Sequence, residues 1–363
     1  MFLSGSLGNL LPPPMFLKMP SLGVDISDSS LKYIKLKEVK PGHKVIDIKG
    51  SIDIPNGVVR GGFVEDQKQL TEVMRKLKTQ TKMSYVRVSL PEERAYVFET
   101  EIKRGTPFKE IRGLLEFRLE ENVPISPKEA LFDYEILPSG PDDKKIRIVV
   151  VVYARETIMR YYNACKDAKL VPLSFEVEAQ AMARATVSAD DVGAHMIVDF
   201  GKNRTGIAVV LNGALMFTST VDIGGDTMSK ALRAQLGNDI AESELTKIKN
   251  TQGLVKALDN DVVYEALLNT SSILKDEIAS RLQYWHTRDY ERKERKIKSV
   301  IICGGSSNMK GLPEYLTEAL GVTVVRGNVW ENVMDLDTDI PSIDRWHSYG
   351  YAAAVGLALK DYM

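Results

Sequence analysis

Three short stretches hold the residue types that can handle a phosphate group and its metal: "DISDSS" (25–30), "DFGKNRT" (199–205) and "CGGSSNMKGL" (303–312). Asp25 and Asp199 supply hard carboxylate oxygens, which suit Mg²⁺ while leaving it part of its water shell. Ser29, Ser30 and Thr205 can donate to phosphate oxygens, and Lys32 can neutralise them. Gly201 and the Gly304–Gly305 pair let backbone N–H groups approach a phosphate or a base closely. Taken singly, each stretch is unspecific. An Asp-x-Gly followed by threonine arises by chance, and Gly-Gly after a strand is an ordinary turn. Their common context is informative, because each follows an apolar, strand-like run, and ligands of open α/β sheets gather at that edge.

Those strands need partners. Strand-like runs cover 22–26, 31–39, 44–54 and 57–64, and Leu70, Val73, Met74 and Leu77 repeat at helix spacing within 66–78. Strands are expected at 85–91 and 94–102. A helix follows, with Thr106 as N-cap, Pro107 in its first turn, and Ile111, Leu114, Leu115 and Leu119 on one face. Strands 131–137 and 146–154 flank a polar turn at 138–145, and helices are expected at 155–168 and 175–189. From 195 to 236 the opening pattern returns: strand, aspartate-bearing turn, further strands, helix. "DFGKNRT" stands where "DISDSSLK" stood. Two copies of one unit predict two pseudo-symmetric domains that offer their turns to a shared cleft. Helices dominate 226–296. A strand (299–305), a turn and helix (306–320), a strand (322–325) and a small-residue helix (348–359), expected to be buried, complete the pattern.

At 363 residues the chain is long enough for two or more domains. Its 44% hydrophobic and 27% charged residues are ordinary for a folded soluble protein, and a net charge of -1 gives no general pull toward nucleic acid. Cys165 and Cys303, far apart, exclude a disulfide framework or a cysteine-rich zinc site and fit a reducing compartment. His43, His195, His286 and His347 show no metal spacing, and no nucleophile triad is evident. No run approaches the roughly 20 apolar residues of a membrane span. Residues 1–20 are apolar, broken by Pro12, Pro13, Pro14 and Pro20, and read as an extended arm rather than a signal peptide. The basic run 288–298 reads as a solvated helix end, or else as a contact for anionic lipid or an acidic partner.

In these motifs the chain resembles the actin-like ATPase superfamily, and within it the PilM/FtsA branch, nearest the PilM family of type IV pilus assembly. "GVDISDSSLKYIKL" (23–36) and "IVDFGKNRTGIAVV" (197–210) resemble the two phosphate motifs. "STVDIGGDTMSKAL" (219–232) resembles the stretch that brings a helix N-terminus to the nucleotide. "AESELTKIK" (241–249) is similar to the ribose- and adenine-contacting helix, and "IICGGSSNMKGL" (301–312) to the adenosine motif. The resemblance implies an α/β, actin-like (ribonuclease H-like) two-domain fold with an inserted small α+β subdomain. Domain I would comprise 21–85, 172–194 and 342–363, with an SHS2-like insert at 86–171. Domain II would comprise 195–228 and 297–341, with a helical subdomain at 229–296.

It also implies ATP or ADP with Mg²⁺ as ligands. Asp25 and Asp199 would hold the metal largely through waters. Ser27, Ser29, Ser30 and Lys32, then Gly201, Lys202, Asn203, Arg204 and Thr205, would meet phosphates, with Gly224, Gly225 and Asp226 at the helix start. Glu244 and Lys247 would meet the ribose and base, and Gly304, Gly305, Ser306 and Met309 would border the adenine. Glu178 falls where relatives position the attacking water. One departure stands out: Ser27 and Asp28 replace the usual glycine and small hydroxyl residue. A carboxylate about 4 Å from a terminal phosphate costs about 4 kcal/mol at an effective dielectric near 20, unless a metal bridges it or it turns away. The expectation is nucleotide binding with weak or absent turnover.

The implied partner is the cytoplasmic N-terminal tail of a PilN-like bitopic membrane protein, with coupling to the pilus motor ATPase and platform components at the inner face of the cytoplasmic membrane. The peptide groove would lie in or beside the insert. Asn9, Leu10, Leu11 and Pro12 are similar to the partner's docking motif, which suggests self-docking of the arm, within one subunit or between copies of a homo-oligomer. The competing readings are an FtsA-like filament-forming division protein and a small-molecule kinase of the same superfamily.

Overall fold

The computed structural model describes residues 19–40, 42–140, 143–257, 261–288 and 293–362. The Asn9–Pro12 motif lies outside the described residues.

The chain opens with β1 (Leu22–Ile26), buried along its whole length, and β2 (Ser30–Lys40) and β3 (His43–Asp53) fold back antiparallel beside it. Where one strand was expected at 57–64, two short ones, β4 (Val59–Arg60) and β5 (Phe63–Val64), turn about Gly61 and Gly62. Both glycines have positive φ, which an extended strand cannot contain. Helix α1 (Gln67–Thr81) starts at Asp66, whose carboxylate accepts from the Gln69 N–H, and it buries Leu70, Val73, Met74 and Leu77 as their spacing predicts.

β6 (Tyr85–Leu90) pairs parallel to β1. Next come β7 (Tyr96–Lys103), α2 (Phe108–Asn122), β8 (Ala130–Ile136), β9 (Lys145–Ala154) and α3 (Arg155–Asp167). Thr106 does not cap α2. Its hydroxyl bonds the Lys103 carbonyl, and Pro107 takes the cap position without a side-chain bond. The buried row of α2 is Ile111, Leu115 and Leu119, and Leu114 on its flank is exposed. The helix expected at 175–189 begins later. β10 (Val171–Val177) pairs parallel to β6, and α4 (Glu178–Thr186) starts at Glu178.

The second half repeats this order. β11 (Ala194–Phe200), β12 (Thr205–Leu211) and β13 (Ala214–Val221) form an antiparallel meander. α5 (Gly225–Leu236), α6 (Glu242–Thr251) and α7 (Asp261–Thr287) make the expected helical block. β14 (Ile297–Cys303), α8 (Leu312–Leu320) and β15 (Val324–Arg326) return to the sheet, and α9 (Arg345–Ser348) and α10 (Ala352–Leu359) cross back to the first half.

The two large sheets have matching strand orders, β10-β6-β1-β2-β3 and β13-β12-β11-β14-β15, each an antiparallel meander joined to two parallel strands. The internal repeat read from the pattern is therefore present in the fold. A third sheet, β7-β9-β8, packs on α2 with its own core of Phe98, Leu115, Leu119 and Val150. The expected insert, 86–171, contains this sheet together with β6 and α3, which pack with the first sheet. All eight residues of α10 are buried, and small residues make its seat possible. A Cβ on Gly23 would lie 2.1 Å from the Ala354 carbonyl oxygen, and one on Gly356 1.7 Å from that of Ala181. This close contact of β1, α10 and α4 fixes the floor on which the first turn rests.

Candidate functional site

β1 and β11 are equivalent strands, and each carries its aspartate one residue before its end: Asp25 and Asp199. In register, Asp25 lies beside Lys32 of β2, and Asp199 lies beside Gly206 of β12. The two carboxylates face one cleft of about 420 Å³ between the sheets. Its walls come from the turn after β1, the turn after β11, the start of α5, one face of α6 and the turn after β14.

The first turn is tied to itself. Ser27 N–H donates to the Ser30 carbonyl at 2.9 Å, the Ser30 N–H to Ser27 Oγ at 3.2 Å, and Lys32 Nζ to Ser30 Oγ at 3.1 Å. Part of the hydroxyl richness of "DISDSS" is therefore used in building the bend. The second turn holds α5. Gly225 N–H donates to the Gly201 carbonyl and Asp226 N–H to that of Lys202, so these two groups are already engaged, while the positive end of the helix still faces the cleft. Ser306 Oγ donates to the Gly201 carbonyl at 2.8 Å, which joins the third turn to the second.

Asp28, the departure from the family pattern, has turned away. Its carboxylate accepts from the Gly61 and Gly62 N–H groups at 3.1 and 3.2 Å and lies 3.5 Å from the Arg204 guanidinium. It does not line the main cleft, so the expected repulsion is removed by its rotamer.

The cleft is acidic and poorly compensated. Burial pushes the Asp25 carboxyl up, against the opposing pull of Lys32 and the Ser89 hydroxyl, which donates to it at 2.9 Å. Burial, and then the charge of Asp25, push Asp199 up to about 7. Glu178, first residue of α4, is pushed well up by burial and by Asp25. Glu92, in the single helical turn after β6, is pushed up to about 8, by burial first and then by Asp199. Carboxyls that resist ionisation together are what a bound cation would relieve. No cluster of three or more metal-ligating side chains exists among the described residues. Two carboxylates facing one cleft are a donor set of the kind that suits Mg²⁺ retaining waters.

The cleft brings together Asp25, Ser27, Ser29, Ser30, Lys32, Glu178, Asp199, Gly201, Lys202, Gly225, Asp226, Gly304, Gly305, Ser306 and Met309. Other expected residues lie elsewhere. Thr205 is fully buried and bonds the Ile223 carbonyl. Asn203 and Arg204, in the later part of the second turn, line a neighbouring small pocket rather than the cleft. Gly224 backs onto that turn, where a Cβ would meet the Lys202 carbonyl at 2.3 Å. Glu244 and Lys247 are exposed on α6 and do not line the cleft. Glu242, Thr246, Lys249 and Asn250 of the same helix do. Lys249 Nζ is buried against the Gly225 carbonyl and Ser229 Oγ at 3.1 and 2.7 Å, and burial lowers its basicity. The signal missed was Leu245: as the buried anchor of α6 it sets which flank faces the cleft. Met182, Met228, Tyr349 and Gly350 complete the lining unforeseen.

A separate groove of about 340 Å³ runs between the small sheet and the first half, lined by Leu131, Phe132 and Tyr134 of β8, Phe175 and Val177 of β10, and Gln180 and Arg184 of α4. Gln180 crosses it to bond Glu135, and Arg184 pairs with Glu176. β8 is an edge strand of its sheet, and its residues 131–135 line this groove.

The model of the family described as "Type IV pilus assembly protein PilM" matches residues 23–362. The cell division protein FtsA of Neisseria meningitidis serogroup B (strain ATCC BAA-335 / MC58) is 26% identical over 198 residues, 50% of this chain and 48% of that one. The chain thus spans about half the length of this curated relative. Among solved structures, a PilM-PilN type IV pilus biogenesis complex superposes with a TM-score of 0.77 at 20% identity, covering 95% of this chain and 99% of that one. MreB 5 of Spiroplasma citri bound to AMPPNP gives a TM-score of 0.55 at 12% identity, covering 93% and 94%. At these identities the structural likeness is one of fold, and that fold is actin-like.

Proposed function

Since this chain belongs to the PilM family of type IV pilus assembly proteins, we propose that it works as an actin-like scaffold that binds ATP or ADP with Mg²⁺ and recruits the cytoplasmic tail of a PilN-like membrane partner. The observation that supports nucleotide binding most is the meeting of Asp25 and Asp199 in one cleft from equivalent strand ends. These two carboxylates would hold Mg²⁺, which would supply positive charge to offset that of the phosphates. Lys32, Ser29 and Ser30 meet phosphate from one side, Gly201 and Lys202 from the other. The base lies between Met309, the Gly304–Gly305 turn and the Thr246–Lys249 flank of α6. Glu178 sits where it can orient a water, and burial and the Asp25 charge push its carboxyl up, which disfavours the ionised form that activating a water needs.

The partner tail fits the groove beside the small sheet, where the β8 edge can accept an added strand and the aromatic lining its side chains. On this reading the protein is held at the inner face of the cytoplasmic membrane by its partner, and transmits nucleotide state to the pilus motor and platform. The test is titration of the partner's N-terminal tail peptide into the full chain, with and without Mg-ATP. Saturable binding is expected, and no binding at high micromolar peptide contradicts the scaffold reading.

A further inference from the structure

Ser21 marks the point where the N-terminal arm enters the packed fold. It is buried, and its N–H and hydroxyl both donate to the Asp361 carboxylate, at 2.8 and 2.9 Å, whereas Met19 and Pro20 before it are exposed. Arg87 joins Asp361 to Ser174 of β10, at 2.9 and 3.2 Å. The immediate chain neighbours of that pair, Lys360 and Phe175, line the groove beside the small sheet. The arm is thus rooted within two side-chain contacts of the groove. Residues 13–18, which join Pro12 to the described chain, span up to about 20 Å when extended.

Arm and groove match in chemistry. Residues 1–17 carry no charged side chain, and Leu10 and Leu11 stand directly before Pro12, Pro13 and Pro14. Prolines fix φ and keep the residue before them out of helix, so the sequence here favours extended backbone. The groove lies between β8 and β10, edge strands of two different sheets, and Leu131, Phe132, Tyr134 and Phe175 give it apolar walls. Its volume, about 340 Å³, is that of a ligand site. Its buried charges already have partners: Glu176 accepts from Arg184 at 2.9 Å and lies 3.5 Å from Lys360, and Glu135 accepts from Gln180. An uncharged segment covers these pairs without separating them. A charged one must break a pair or bury its own charge alone.

We propose that Leu10 and Leu11 of this chain's own arm occupy the groove of the same subunit, so that the arm and a partner tail exclude one another. Arm docking deepens the scaffold reading and rests on it for its purpose, since it regulates a partner only if the partner uses this groove. Tethering gives the arm an effective concentration of about 1 mM, so even docking with a Kd of about 100 µM leaves the groove open only about a tenth of the time. A second ligand binds that open fraction, and its apparent affinity falls in proportion.

The test uses the full chain and a labelled peptide copying residues 6–18. Fluorescence anisotropy is expected to show this peptide binding the Leu10→Asp/Leu11→Asp protein about tenfold tighter than the wild-type protein. Leu10→Ser/Leu11→Ser should shift it in the same direction. Hydrogen exchange over 131–135 should rise in both variants, at low and high protein concentration alike. Adding Gln180→Trp to either variant should abolish peptide binding. Equal affinity for wild-type and variant proteins, no binding to either variant at high micromolar peptide, or binding that survives Gln180→Trp would overturn arm docking. A difference in exchange confined to high protein concentration would put the arm in a neighbouring copy and overturn it equally. The partner's N-terminal tail peptide, titrated in parallel, separates the two readings: if it binds none of these proteins while the arm peptide behaves as expected, the scaffold reading fails and the arm's seat stands.

Discussion

Asp25 and Asp199 occupy equivalent places in two sheets of matching strand order, and the charge of Asp25 makes Asp199 harder to ionise. They differ in what lies beside them: Asp25 has Lys32 as its cross-strand neighbour, Asp199 only Gly206, above which Glu92 is seated. The pseudo-symmetric halves therefore bring two acids together with Lys32 as the lysine that acts on both.

The ligand-free protein should lose stability as pH rises through neutrality. Asp199 moves from 3.8 to about 7 on folding and Glu92 from 4.5 to about 8. Between those values the folded chain binds more protons than the unfolded one, so the unfolding free energy falls with rising pH. A urea midpoint lower at pH 8 than at pH 5.5 is expected, with a shallower difference in Glu92→Gln. A midpoint that rises over this range would count against the buried-acid picture.

On α6, Thr246→Arg should weaken nucleotide binding about tenfold or more by filling the base side of the cleft, whereas Lys247→Ala and Glu244→Ala should leave it unchanged. The reverse ranking, measured by fluorescence of a labelled adenine nucleotide, would restore Glu244 and Lys247 to the site.

Gly356→Val should destabilise the fold, because any Cβ there runs into the Ala181 carbonyl. Overpacking of this kind costs about 1–3 kcal/mol. Denaturant titration should show it, and Gly113→Ala, an exposed position of α2 with open space around it and helical backbone, should cost nothing.

In the groove beside the small sheet, Gln180→Trp should block the tail peptide while nucleotide affinity stays within about twofold. Loss of both together would mean that the substitution has disturbed α4 as a whole, since Glu178 and Met182 of that helix line the cleft.

Much of the fold could be read from the chain because its signals are local and repeated. The two turns follow apolar strands directly, and the register of β1 and β11 needs only those strands. What escaped was decided by remote partners. Val171–Val177 became a strand because β6, some eighty residues earlier, offers it a parallel edge, while the helix formers from Glu178 onward drew the expected helix too far back. Asp28 was expected near phosphate because the resemblance puts it in the first phosphate motif. Its rotamer is set by Gly61, Gly62 and Arg204, which no local pattern joins to it. On α6 the resemblance implied Glu244 and Lys247, whereas Thr246 and Lys249 of the same helix line the cleft beside the buried Leu245.

Calorimetric titration of Mg-ATP and Mg-ADP into the full chain, beside Asp25→Asn and Asp199→Asn, reaches the central claim most directly. Saturable heat at or below about millimolar nucleotide, with the Mg²⁺-dependent part lost in both variants, is the predicted result. No heat from the wild-type protein at millimolar Mg-nucleotide would mean that the two aspartates close on a cleft that no longer takes its ligand.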